Sequence, residues 1–140
     1  MDIEIRAHNR AAIEAHPMFE RITMMEGSSI APEIIAQVQA RAAGQRVLVC
    51  LDSHHTHAHV RAELEAYAPL TSVGSYCVVF DTVIEDLPAE LFPDRPWGPG
   101  NNPKTAVWDY LKTHPEFEID QSIQHKLLIT VAPDGYLQRV

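Results

Sequence analysis

Through the first two-thirds of the chain, runs of crowded apolar residues alternate with stretches where apolar residues recur every three or four positions. The clearest run is Val47-Leu48-Val49-Cys50-Leu51, closed by Asp52. Its unbroken, branched-chain character predicts a strand buried on both faces, as in the centre of a parallel sheet. The pattern returns at Tyr76-Cys77-Val78-Val79-Phe80, closed by Asp81. Residues 2–6 and 21–26 predict two earlier strands. Between them, Asn9 is expected to cap a short helix through Glu14 that Pro17 stops. Pro32 opens a helix whose inward stripe is Ile34, Ile35, Val38 and Ala42, with Gly44 as its stop. Val60, Leu64, Tyr67 and Ala68 predict another helix after Asp52, closed by Pro69.

The texture then changes. Residues 87–103 carry prolines at 88, 93, 96, 99 and 103, with Gly98 and Gly100 between them, and predict a long irregular loop. Asn102 as cap and Pro103 in the first turn start a helix through Lys112. Residues 117–120 predict a short strand and residues 126–132 a stronger one, which Pro133-Asp134-Gly135 turns back into residues 136–140. The sum is an α/β, Rossmann-like fold: one domain over residues 1–140, with a mainly parallel sheet flanked by helices and a C-terminal antiparallel hairpin.

Composition narrows the partners. With 46% hydrophobic and 21% charged residues, the chain can bury a core, and no apolar run approaches the roughly 20 residues of a membrane span. A net charge of -8 argues against nucleic acid as the main partner, because phosphate binding needs a basic face. The first residues do not read as a signal peptide. Cys50 and Cys77 both fall inside strand runs, which predicts buried free thiols and fits a reducing cytoplasm.

The candidate chemistry gathers at the strand ends. Ligand sites of open α/β sheets lie beyond the carboxyl ends of their strands, where Asp52 and Asp81 stand. If their strands are parallel neighbours about 4.8 Å apart, the carboxylates share a small volume and need a proton or cation between them. Oxygen ligands favour Mg²⁺, Ca²⁺ or Mn²⁺, any of which lowers the pKa of a bound hydroxyl. His54, His55, His57 and His59 follow at once. His55, nearest Asp52, is the candidate general base. Asp52 with His55 and His59 also suits a two-histidine, one-carboxylate iron site or a zinc site, while a solvated helix start explains the same histidines without any ligand. Asp2 or Glu4 at a strand end suits a ribose, and Ser28 in the Gly27-Ser28-Ser29 loop suits a cofactor. Either feature also reads as an ordinary strand end or turn. Trp97 belongs to a lid or anchors its loop.

With these residues assembled, the chain resembles the cephalosporin hydroxylase and rhamnosyl O-methyltransferase family, which has a class I S-adenosylmethionine methyltransferase fold. The stretches that carry the resemblance are residues 2–10, Glu26-Gly27-Ser28-Ser29, Leu51-Asp52-Ser53-His54-His55, residues 76–82 and Pro133-Asp134-Gly135-Tyr136-Leu137. The resemblance implies Mg²⁺ or another divalent cation on Asp52 and Asp81. It implies S-adenosylmethionine with its ribose at Asp2, its adenine near Ser28, and Asp52 bordering it. The implied reaction is methyl transfer to a sugar or natural-product hydroxyl, with His55 taking the proton.

Two departures qualify this. Some relatives carry a further acid where Phe80 stands, so the third metal ligand is open, with Thr82 or Glu85 as substitutes. In these methyltransferases a first strand and glycine-rich loop precede the residue equivalent to Asp2, and none of the glycines at 27, 44, 74, 98, 100 and 135 makes such a turn. The sequence therefore reads as the C-terminal part of the fold, and the chain alone is expected to bind the donor weakly or not at all. It is also expected to leave an apolar sheet edge that a homo-oligomer would cover. Two other readings stay open: a non-haem iron hydroxylase on Asp52, His55 and His59, and a non-catalytic remnant acting as an assembly partner.

Overall fold

The computed structural model describes residues 1–140. Its helices are α1 (Ala7–Glu14), α2 (Pro32–Ala42), α3 (His57–Tyr67), α4 (Pro103–Leu111) and α5 (Gln121–Leu127). Its strands are β1 (Val49–Leu51), β2 (Tyr76–Val79), β3 (Phe117–Ile119) and β4 (Tyr136–Arg139), in the sheet order β1-β2-β4-β3. β1 and β2 are parallel, whereas β4 runs antiparallel to both of its neighbours. The α/β class agrees with the sequence, but the sheet is mixed rather than mainly parallel: β1–β2 is its one parallel pairing.

The core is the meeting of this sheet with α3 and α4. Val60, Leu64 and Tyr67 of α3, with Ala68 just beyond, pack on Val49, Leu51, Cys77, Val79 and Leu137. Ala106, Val107 and Tyr110 of α4 complete the layer. α4 begins where Asn102 and Pro103 predicted, with Asn102 Oδ1 accepting from Lys104 N and Thr105 N and Thr105 Oγ1 returning a bond to Asn102 N. No helix is long and apolar enough to cross a membrane.

Several expectations fail, each for a physical reason. Residues 2–6 and 21–26 form no strands; they meet in a single parallel bridge between Asp2 and Glu26. Their remaining backbone groups have no ladder to join, and side chains serve them instead: Asp2 Oδ1 accepts from Glu4 N and Glu26 Oε2 from Ile5 N. Asn9 is inside α1 rather than its cap, because the helix starts earlier, at Ala7. β1 is buried on one face only. Val49 and Leu51 face the core, Cys50 is exposed on the other side, and β1 is an edge strand of the sheet. Cys77 is buried as expected.

The strand expected over residues 126–132 is absent. Asp120 caps α5 through Ser122 N, the helix runs through Leu127, and Leu128 turns out at positive φ. Leu128 and Ile129 are left in solvent. β4 therefore has no hairpin partner there and inserts between β2 and β3.

The turn before β4 is tight. Val79 N donates to Gly135 O at 2.8 Å, and a Cβ on Gly135 would come within 2.2 Å of Val79 O. Gly44, at φ +71, has nothing near its missing Cβ. Gly135→Ala is therefore expected to destabilise by about 3 kcal/mol through backbone displacement, and Gly44→Ala by about 1 kcal/mol through the left-handed φ alone. Urea unfolding of the two variants measures the difference, and equal losses would contradict the close approach.

Candidate active site

β1 and β2 are in register with Leu51 opposite Val79, and Phe80 N donates to Leu51 O at 2.9 Å. Asp52 thus stands level with Phe80, and an uninterrupted strand would send Asp81 to the opposite face. The alternation is broken at Asp81, which takes φ 54 and ψ 25. Aspartate is among the few residues that accept this left-handed conformation. As a result one carboxylate oxygen each from Asp52 and Asp81 and a ring nitrogen of His55 all lie within 4.8 Å of one another. His55 Nδ1 is 3.4 Å from Asp81 Oδ2. The donor set is two hard oxygens and one imidazole, which suits a divalent cation.

The histidine run divides. His59 does not join Asp52 and His55: its Nε2 is 3.0 Å from Ser29 Oγ and 3.6 Å from Glu63 Oε1. The two-histidine, one-carboxylate set is therefore not assembled. His57 ties α3 to α4 through Thr105 Oγ1 at 2.9 Å. His54 and His55 both meet Trp97 edge-on, with ring centroids 5.3 and 4.9 Å away. Trp97 thus sits on the histidine loop, and Asn101 Oδ1 holds the two segments together by accepting from His57 N.

Beside the carboxylates opens a cleft of about 940 Å³. Asp2, Ser28 and Asp52, the three residues expected at a donor, all line it. Asp52 belongs to both places: it borders the cleft and faces Asp81.

A sequence profile of the family described as rhamnosyl O-methyltransferase/CmcI matches residues 1–140. The chain belongs to that family. Rhamnosyl O-methyltransferases of Mycobacterium tuberculosis (strain H37Rv) and Mycobacterium bovis (strain BCG Pasteur) are each 34% identical to it over 122 residues, covering 84% of the chain and 47% of the relative. That of Mycobacterium leprae is 31% identical over 122 residues, covering 84% and 50%. The chain spans about half the length of these curated relatives. No solved structure matches.

In this member of the rhamnosyl O-methyltransferase/CmcI family, neither substitute for the acid missing at Phe80 reaches the carboxylates. Thr82 Oγ1 donates to Pro133 O at 2.6 Å. Glu85 Oε2 accepts from Gly100 N at 2.7 Å and from the Asn102 amide, which makes it the anchor of the Trp97 loop. The third potential donor atom beside the two carboxylates is a ring nitrogen of His55.

Sequence reasoning missed Glu63, Ser53 and Cys50. Glu63 lines the cleft yet is 2% exposed. It reads as one more charge between Arg61 and Glu65, but the spacing 60, 63, 64, 67 places it on the inward stripe of α3. Cys50 was hidden by the assumption that β1 is covered on both faces.

The Cys50 thiol is held above its ordinary pKa, first by desolvation and then by the Asp52 charge. It is therefore a protonated thiol in the cleft rather than a thiolate nucleophile. Iodoacetamide should alkylate Cys50 more slowly than free cysteine under mildly alkaline conditions, and faster in Asp52→Asn. Cys77, pushed much further up by burial, should react only on unfolding. Mass spectrometry of the two sites reads both, and a Cys50 faster than free cysteine would contradict this environment.

Proposed function

We propose that the chain carries the catalytic acids of an S-adenosylmethionine-dependent, divalent-metal-assisted O-methyltransferase whose acceptor is a sugar hydroxyl of the rhamnosyl type. The observation that carries this reading is the convergence of Asp52, Asp81 and His55 beside a cleft lined by Asp2 and Ser28. The mycobacterial relatives, which are rhamnosyl O-methyltransferases, support the acceptor class.

Asp52 and Asp81 are the residues that would hold the cation, Mg²⁺ or a similar hard ion, and their oxygens fit it. When bound, such an ion supplies Lewis acidity that lowers the pKa of a hydroxyl near it. The donor, when bound, supplies an electrophilic methyl group. Asp2 would accept from the ribose hydroxyls, Ser28 would border the base, and Asp52, which lines the cleft and faces Asp81, would stand between donor and cation. His55, paired with the Asp81 carboxylate, takes the acceptor's proton as general base. Trp97, packed on His54 and His55, shields that proton transfer from water. The proximity of all three donor atoms also favours a second role for His55, as the third ligand in place of the acid that Phe80 replaces.

Mn²⁺ titration followed by electron paramagnetic resonance tests this reading. Asp81→Asn should weaken binding by at least about tenfold, since even outer-shell changes reach that size. Unchanged affinity would overturn the metal site. His55→Ala separates the two histidine roles. A base leaves Mn²⁺ affinity within about twofold; a ligand lowers it by at least about tenfold.

A further inference from the structure

The floor of the cleft carries a polar arrangement that the metal chemistry does not use. Ser53, the residue after Asp52, is exposed in the cleft, and its Oγ donates to Glu63 Oε1 at 2.7 Å. Glu63 is 2% exposed, and its Oε2 has no hydrogen-bond partner. A buried carboxylate left half-satisfied costs stability, and replacing such a group by an apolar one of similar shape is often neutral or better. The chain nonetheless spends an α3 core position on it, so its effect on Ser53 is the feature to explain.

A serine hydroxyl has one hydrogen and two lone pairs. With its hydrogen committed to Glu63, Ser53 Oγ offers only lone pairs to the cleft. The hydroxyl has thus become a fixed acceptor, unable to rotate and donate. Next to it lies the second polar pair of the floor, His59 Nε2 with Ser29 Oγ at 3.0 Å, on the loop that holds Ser28. His59 Nε2 is 3.6 Å from the same Glu63 oxygen, so the two pairs form one continuous edge from Ser53 to Ser29.

We propose that Ser53 selects a 6-aminopurine by accepting from its exocyclic N–H, and that Glu63 is the positioning residue that keeps Ser53 an acceptor. This rests on the reading of the cleft as the donor site, with the base beside Ser28. A 6-oxopurine presents an oxygen where the amine would be and meets lone pairs with lone pairs. The 6-oxopurine then forfeits the hydrogen bond that the amine makes, a loss of the size of one ordinary hydrogen bond.

Adenosine and inosine are suitable probes, since they carry the base and ribose without the amino-acid part of the donor. Ligand-observed NMR on the full chain should show adenosine binding about tenfold more tightly than inosine. Ser53→Ala, at an exposed position, should bring the two within about twofold. Glu63→Met should do the same, because the freed hydroxyl can then donate to the 6-oxo group, while Glu63→Gln, which keeps an acceptor for Ser53, should retain selectivity. Equal binding of the two nucleosides to the unaltered chain, or selectivity that survives Ser53→Ala, would overturn the assignment and leave the donor cleft standing. Binding of neither nucleoside at millimolar concentration would overturn both.

Discussion

The parallel pairing of β1 with β2 is the constraint from which the site follows. Because Leu51 lies opposite Val79, the two chains leave the sheet at the same level, and the next residues fall within reach of one another. One further device is needed, the left-handed backbone at Asp81, which turns a carboxylate that would face away toward Asp52. A left-handed residue costs about 1 kcal/mol relative to the right-handed one, so this turn opposes folding locally. Such strain persists only where the surrounding structure over-determines it, here through the β1–β2 register.

α3 carries the second half of the arrangement. One stripe of this helix holds Val60, Leu64 and Tyr67 in the core and Glu63 under the cleft. The same helix reaches two other segments. Tyr67 Oη donates to Ser29 O, fixing the loop that borders the cleft, and His57 binds α4 and the Trp97 loop. The loop itself is irregular but not loosely held, since Glu85 and Asn102 anchor both sides of its turn. The helix is tied to the end of β1 through Glu63, whose Oε1 accepts from Ser53 Oγ at 2.7 Å.

What the sequence disclosed divides along local and non-local lines. The two strands ending in aspartate, the α3 stripe and the Asn102-Pro103 helix start are written in short-range patterns, and they stand in the structure. The runs at 2–6, 21–26 and 126–132 have strand-like composition too, but a strand exists only if a partner lies alongside. The first two find only each other, at one bridge, and the third is overridden by the Asp120 cap of α5. Burial misled in the same way: Cys50 is apolar and lies in an apolar run, yet whether its face is covered depends on what packs there. Among the acids, position marked Asp52 and Asp81, whereas Glu63 was concealed by its charged neighbours although its helical phase put it inside.

The most direct test of the paired-carboxylate site is anomalous diffraction from crystals soaked in Mn²⁺. The expected result is a single strong peak about 2.0–2.6 Å from oxygens of both Asp52 and Asp81, on the side of His55. An ordered ion elsewhere with these two carboxylates turned apart would show that the strand ends do not build a metal centre.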